Sequence, residues 1–164
     1  MPTLTYIILV ITATTTALMA ELFYAFSCLV NLGLARLSNA EYISAMQSIN
    51  RAIQNPIFFA AFFGAPIFLP LSVFLHYGQP LSVQFWFLVA ATIIYLIGTF
   101  GAPIFGNVPL NNILDRFDLQ AASEDETALQ RTNFERRWNN FNTVRTVSSM
   151  LAVILVVIAC LSSH

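Results

Sequence analysis

The chain has 164 residues, of which 57% are hydrophobic and only 9% are charged, and its formal net charge is −1. Soluble globular proteins carry roughly 25% charged residues, so this composition excludes a soluble domain and predicts an integral membrane protein. The weak net charge and the lack of a basic cluster exclude nucleic acid as a partner.

Four apolar segments are long enough to cross a bilayer, at about residues 4–30, 57–77, 81–105 and 144–161. A transmembrane helix needs roughly 20 apolar residues, and none of these segments alternates polar and apolar residues as a membrane-spanning strand would. We therefore predict an all-α membrane protein, in which residues 1–164 form a single domain with a four-helix transmembrane bundle.

The first segment contains a carboxylate. At 3.6 residues per turn, Glu21, Tyr24, Cys28 and Asn31 share one side of the helix, and Glu21 lies about 15 Å from Asn31 along its axis. Ionisable residues inside a membrane are costly and are functional candidates by default. Glu21 is therefore a candidate catalytic residue and Asn31 a candidate substrate-binding residue, whereas a neutral or arginine-paired Glu21 would have a packing role only.

The first linker predicts an amphipathic helix over residues 38–54, capped by Ser38 or Asn39. Such a helix either lies along the membrane interface or docks beneath the bundle. The amides and the arginine of this linker are suited to bind polar groups of a ligand close to the membrane. The linker supplies three candidate substrate-binding residues, which are Asn50, Arg51 and Asn55.

The hexapeptide FGAPIF occurs twice, at Phe63–Phe68 and Phe100–Phe105. Each copy places a proline inside or near the end of an apolar helix, where it removes a backbone hydrogen bond and bends the helix. We expect kinks in helices two and three. Kinked helices favour a cavity between the helices over a closely packed interface. Coincidence in a chain rich in Phe, Ala and Pro is the alternative.

The second linker begins with the turn-prone sequence 106–109, where Asn107 is expected to cap a short helix ending near Phe117. Ser123 and Glu126 have capping-box spacing, and no helix breaker follows before Leu161. We predict a long fourth helix that extends into the cytoplasm from about residue 127. The amides of this linker, Asn107, Asn111 and Asn112, are candidate substrate-binding residues.

A polar stripe runs along the start of the fourth membrane segment, because Trp138, Asn142, Arg145 and Ser149 fall on one face of a helix. The guanidinium and the neighbouring amides offer a fixed set of hydrogen-bond donors. Arg145 is a candidate catalytic residue, and Trp138 and Asn142 are candidate substrate-binding residues. The alternative is an ordinary anchor at the membrane interface.

All seven cations are arginines, and all lie in or beside the two long linkers. The positive-inside rule then places both linkers in the cytoplasm and both termini outside the cytoplasmic (inner) membrane. This topology gathers the polar candidates at one end of the bundle. We expect a cavity there with Glu21 at its floor and phenylalanine walls, which suits a flat hydrophobic ligand. Neither histidine has partners at metal-ligand spacing, so no metal site is predicted.

Four stretches resemble the anthrone oxygenase-like integral membrane family, and together they cover nearly the whole chain. The four stretches are ELFYAFS, which starts at Glu21, MQSINRAIQNP, which starts at Met46, GNVPLN, which starts at Gly106, and WNNFNTVRT, which starts at Trp138. The resemblance implies the family's fold and topology. Fungal and actinobacterial members of the family oxidise anthrones to anthraquinones with molecular oxygen, whereas most bacterial members are of unknown function. The site candidates it implies are Glu21, Asn50, Arg51, Asn107, Asn111, Trp138, Asn142 and Arg145.

The expected function is that of an oxygenase or oxidoreductase for a flat hydrophobic aromatic or quinone-like substrate. Glu21 would act as general base, and Arg145 and the amides would stabilise an oxyanion. The sequence requires no cofactor, the resemblance implies molecular oxygen as a candidate co-substrate, and haem or a bound quinone is left open. The alternative is a non-enzymatic binder or transporter for a lipid or quinone-like molecule, for which four helices favour a homo-oligomer.

Overall fold

The computed structural model describes residues 2–78 and 82–162, and over these ranges the chain is helical and contains no strand. The prediction of an all-α protein is thus confirmed. In chain order the α-helices are α1 (Pro2–Ala25), α2 (Asn31–Leu34), α3 (Asn39–Ala52), α4 (Pro56–His76), α5 (Val83–Ile94), α6 (Val108–Asp115) and α7 (Glu124–Leu161).

Three π-helical segments, Phe26–Val30, Tyr95–Gly101 and Pro103–Asn107, join α1 to α2 and α5 to α6. The described residues therefore form four continuous helices that are long and apolar enough to cross a membrane, which confirms the predicted four-helix architecture and implies association with a bilayer. These helices are Thr3–Leu34, Pro56–His76, Val83–Asp115 and Glu124–Leu161. The start of the third segment predicted near residue 81 lies outside the described residues.

Two capping boxes fix where the helices of the linkers begin. Ser38 accepts a hydrogen bond from the backbone N–H of Glu41, and the Glu41 carboxylate accepts bonds from the Ser38 hydroxyl at 2.7 Å and from its N–H at 2.9 Å. These bonds from Ser38 hold the pKa of Glu41 below its usual range. Ser123 and Glu126 form the same box at the start of α7, as their spacing predicts.

The third helix continues further than the sequence predicts. The turn expected at residues 106–109 is helical, and Asn107 does not cap a helix, because its backbone is itself helical at φ −65° and ψ −41°. Proline at position 103 removes a normal helical hydrogen bond, and the π-helical turns accommodate the disruption without ending the helix. The two FGAPIF copies differ in backbone conformation. The first copy lies within the α-helix α4, whereas the second lies largely in the π-helical turns.

The helix α3 docks beneath the bundle and does not lie free at its edge. It packs against α6 and α7 through fully buried side chains, among them Ile43, Met46 and Leu114. A second core, built around Met19, Phe23 and Tyr95, lies between the four long helices. We call the end of the bundle that carries α3 and α6 the linker end.

Arg131 ties α7 to the end of α2. Its guanidinium donates to the backbone oxygen of Leu37 at 2.7 Å and to that of Ala35 at 3.2 Å, and it forms an ion pair with Glu135 at 2.8 Å. It therefore satisfies carbonyl groups that a helix end leaves without intrahelical partners. Its guanidinium also covers the ring of Tyr42 at 4.5 Å, and burial raises the pKa of that phenol.

The third and fourth long helices approach each other closely at glycine. A β-carbon added to Gly98 would collide with the side chain of Ser148, and one added to Gly106 would collide with the ring of Phe141. Small residues at such contacts are the common means by which membrane helices pack closely. Gly98 and Gly106 thus fix the distance of the third helix from α7, which carries Arg145.

Candidate functional site

A cavity of about 300 Å³ lies at the linker end, between the first long helix, α3, α4, the third helix and α7. This volume is at the lower end of the range for small-molecule sites. Its apolar wall consists of Phe23, Phe26, Ile49, Ile53, Phe58, Phe59, Phe62, Pro103 and Val108. Its polar wall consists of Asn50, Gln54, Asn107, Asn111, Asn112, Trp138 and Arg145.

Arg145 is the cation of this lining. Its Nε and Nη2 atoms both donate to Oδ1 of Asn142, at 2.9 and 2.7 Å. The guanidinium carbon lies 4.4 Å from the centroid of the Phe23 ring and 5.0 Å from that of Trp138. No carboxylate of the described residues lies within ion-pair distance of it. Arg145 is therefore held by an amide and two aromatic faces, and its charge is not neutralised.

Asn142 lies behind Arg145 and is 1% exposed. Its Nδ2 donates to the hydroxyl of Ser27 at 2.7 Å, which fixes the amide so that Oδ1 faces the guanidinium. The Ser27 hydroxyl in turn lies 2.9 Å from that of Thr146, which donates to the backbone oxygen of Phe23 at 3.0 Å. This network therefore positions both the arginine and one aromatic wall of the cavity.

Two amides of the lining hold polar atoms without partners. Asn107 donates through Nδ2 to the backbone oxygen of Trp138 at 3.2 Å, but its Oδ1 is buried and accepts no hydrogen bond. The Nδ2 of Asn50 is likewise buried and makes no hydrogen bond. By contrast, the indole of Trp138 is satisfied, because it donates to Oδ1 of Asn111 at 2.9 Å.

The structure brings together most of the predicted site. Asn50, Asn107, Asn111, Asn112, Trp138 and Arg145 line the cavity, and Asn142 supports Arg145 from behind. Three of the candidate substrate-binding residues lie elsewhere. Asn31 is partly buried outside the lining, and Arg51 is exposed in an ion pair with Asp115 at 2.7 Å. Asn55 caps α4 by accepting from the N–H of Phe58 at 3.0 Å.

Glu21 does not form the floor of the cavity. Its side chain is exposed on the outside of the bundle and is not part of the lining. The inward face of α1 carries Thr12, Thr16, Met19 and Phe23, all at most 2% exposed. The predicted placement was wrong because threonine hydroxyls bond to backbone oxygens of their own helix, as Thr16 does to Thr12 at 2.6 Å, and can therefore be buried without another partner.

The sequence reasoning assigned no role to Ser27, Thr146 or Gln54. Gln54 lies on the polar face of the first linker, which was a usable signal, and it lines the cavity. Ser27 and Thr146 gave no signal, because hydroxyl side chains within apolar helices usually serve their own backbone. Within residues 2–78 and 82–162, no group of three or more His, Cys, Asp and Glu side chains is placed to hold a metal ion.

Comparison with known proteins identifies the family. The family model described as anthrone oxygenase matches residues 57–155, which is more than half of the chain. The matched region contains Asn107, Asn111, Trp138, Asn142 and Arg145. No curated protein and no solved structure matches the chain. The chain belongs to the anthrone oxygenase family.

Proposed function

We propose that the protein oxidises a flat aromatic substrate of the anthrone type with molecular oxygen, in the cavity at the linker end. One observation carries this proposal: the charged guanidinium of Arg145 has no carboxylate partner among the described residues and lines a cavity walled by phenylalanine. Aromatic walls favour a flat apolar ring system, and an unneutralised cation favours a negative charge on that ring system. An aromatic oxyanion satisfies both.

An anthrone generates such an oxyanion when it loses a proton. Its methylene carbon gives up H⁺, and the electron pair is delocalised onto the former carbonyl oxygen, which makes the ring system electron-rich. Donors that are already oriented toward the developing charge stabilise it most, because they need no reorganisation during the reaction. Arg145 is oriented in this way by Asn142, and it would donate to the substrate oxyanion.

The electron-rich anion then reduces molecular oxygen. One electron passes from the anion to oxygen, and the two radicals combine to form a C–O bond, which gives a peroxide at the former methylene carbon. Loss of the second hydrogen from that carbon and cleavage of the O–O bond produce the second carbonyl group and water. The balance is one anthrone and one O₂ converted to one anthraquinone and one H₂O.

The proton acceptor in this proposal is hydroxide from the water that enters the cavity. The described residues that line the cavity include no carboxylate and no imidazole, and Glu21 lies on the outside of the bundle. Water reaches the amide-rich linker end, which we place in the cytoplasm because the arginines cluster in and beside the two linkers. Arg145 assists this step by stabilising the product oxyanion.

The proposed route predicts a distinctive pH dependence. Because hydroxide takes the proton, log(kcat/KM) for an anthrone should rise with pH with a slope of about one, until the free substrate ionises. Oxygen uptake in lipid nanodiscs measures this slope after subtraction of the protein-free rate. Glu21→Gln should leave the profile unchanged. A plateau that is lost in Glu21→Gln would show instead that this carboxylate is the base.

Arg145→Met tests the role of the cation directly. We expect kcat/KM for an anthrone to fall by about 10²–10³, which is the usual effect of removing a donor to a developing oxyanion. The assay is oxygen uptake by purified protein in nanodiscs, with anthraquinone quantified by chromatography. The matched control is Arg136→Met, on the exposed surface of the same helix, which should keep the wild-type rate.

The same assay identifies the outcome that contradicts the proposal. If wild-type protein consumes no oxygen beyond the spontaneous rate, while a flat aromatic molecule co-purifies with it, the cavity belongs to a binder or transporter. If uptake is catalysed but Arg145→Met matches the wild type, the protein is an oxygenase in which this cation plays no part.

A further inference from the structure

The cavity contains a second recognition element besides Arg145. In the part of the chain that the structure describes, four buried side-chain nitrogen or oxygen atoms make no hydrogen bond, and two of them belong to cavity-lining residues. These are the donor Nδ2 of Asn50 and the acceptor Oδ1 of Asn107, whose residues are 7% and 1% exposed. Buried polar groups are nearly always paired, so two unpaired atoms in one lining require an explanation.

The two atoms are complementary to a single chemical group. A hydroxyl group can accept one hydrogen bond through its oxygen and donate another through its O–H. We propose that the Asn50–Asn107 amide pair binds a neutral hydroxyl group of the aromatic ligand, which accepts from Asn50 Nδ2 and donates to Asn107 Oδ1. This inference rests on the proposed function, and it defines the substrate as a ring system with two differently recognised oxygens.

The surrounding contacts fix the polarity of this pair. The Nδ2 of Asn107 is already engaged by the backbone oxygen of Trp138, so the free atom of that amide is its acceptor. The indole N–H of Trp138 is engaged by Asn111 and cannot serve the ligand. Arg145 only donates, so it selects an oxyanion or carbonyl, whereas Asn107 Oδ1 selects a group that still carries its proton.

The consequence is discrimination against blocked hydroxyl groups. A methyl ether retains the acceptor but loses the donor, which leaves Asn107 Oδ1 buried and unpaired beneath the ligand. The penalty for an unsatisfied buried group corresponds to an affinity ratio of at least roughly fivefold. An unsubstituted ring leaves both Asn50 Nδ2 and Asn107 Oδ1 without a hydrogen-bond partner.

The test uses three ligands that do not react with oxygen: β-hydroxyanthraquinone, its methyl ether and unsubstituted anthraquinone. Each is titrated into wild-type protein in nanodiscs at a pH below the pKa of the hydroxyl group. We expect the hydroxyl compound to bind at least roughly fivefold more tightly than either of the others. Equal affinities for the three in the wild type would overturn the inference, and this comparison requires no variant to fold.

Variants then assign the preference to the pair. Asn107→Leu should reduce the ratio between the hydroxyl compound and its ether to about one, whereas Asn140→Leu, on the exposed surface of α7, should preserve it. Asn50→Leu should weaken the hydroxyl compound and its ether alike relative to unsubstituted anthraquinone, because both ligands accept from Asn50 Nδ2. The assignment is rejected if the hydroxyl-to-ether ratio survives in folded Asn107→Leu, or if folded Asn50→Leu binds all three ligands as the wild type does. Oxygen uptake with an anthrone separates this result from the proposed function. If uptake depends on Arg145 but the hydroxyl compound is not preferred, only the assignment of the amide pair is rejected. If the hydroxyl compound is preferred but no oxygen is consumed, only the oxygenase function is rejected.

Discussion

Asn142→Asp is expected to lower kcat/KM for anthrone oxidation by about 10² while the protein stays folded. The aspartate keeps an oxygen within reach of Nε and Nη2 of Arg145, which now lie 2.9 and 2.7 Å from the amide oxygen. It also places a carboxylate against the guanidinium. The resulting ion pair holds the side chain in position but neutralises the charge that the substrate oxyanion needs.

The fold should tolerate this substitution because Ser27 can reverse its role. Its hydroxyl now accepts from Nδ2 of Asn142 at 2.7 Å, and it can donate to a carboxylate in the same position when the Thr146 hydroxyl, 2.9 Å away, donates to Ser27 in turn. The measurements are oxygen uptake and the midpoint of unfolding in mixed detergent with increasing dodecyl sulfate. Asn140→Asp, two residues away and exposed, is the matched control for an added negative charge. Wild-type kcat/KM in Asn142→Asp would mean that the reaction does not use the free charge of Arg145.

Gly98→Ala is expected to lower the free energy of unfolding by about 1–3 kcal/mol, which is the usual effect of overpacking a tight contact. The added methyl group would collide with Oγ and Cβ of Ser148. The β-carbon of Ser148 is attached directly to the backbone of α7, so it cannot move away unless that backbone moves as well. The third helix and α7 must then separate. Unfolding by dodecyl sulfate, followed by circular dichroism, measures the loss.

Two further variants make the Gly98 result specific. Gly33→Ala is the matched control, because an added β-carbon there meets nothing within 4 Å and the change should be neutral or slightly stabilising. The double variant Gly98→Ala with Ser148→Gly should recover most of the lost stability, since the colliding atoms are gone. If the single variant is as stable as the wild type, the close approach of the two helices does not exist in the membrane.

The sequence was sufficient to predict the helices but not the orientation of each one around its axis. Charge content, segment length and capping residues identified four long helices. Ser38, one of the two expected caps, begins α3, and the capping box expected at Ser123 forms. In a membrane, however, both the lipid and the protein interior are apolar, so hydrophobic periodicity does not show which face is buried. The polar face containing Glu21 was taken as the inner one, but the structure turns Thr12 and Thr16 inward instead.

The candidate site was predictable where amides cluster and unpredictable where the backbone departs from a regular α-helix. Most asparagines named from the sequence line the cavity or support Arg145, because amides near apolar helices need partners. Asn107 was expected to cap a helix because a Gly-Asn-x-Pro sequence usually makes a turn. The π-helical turns before it keep the helix intact and direct its side chain toward α7, an outcome that short-range sequence patterns do not predict.

The length of α7 bears on whether the proposed substrate reaches the cavity from the lipid or from water. Its 38 residues extend about 57 Å, but the hydrocarbon core of a bilayer is only about 30 Å thick. An apolar span of this thickness that ends at Leu161 would begin close to Asn142, which would put Arg145 near the boundary between acyl chains and head groups. A flat aromatic compound accumulates at that depth by partitioning. In the proposed reaction, the concentration that sets the rate is then its mole fraction in lipid, and added lipid slows turnover at constant total substrate.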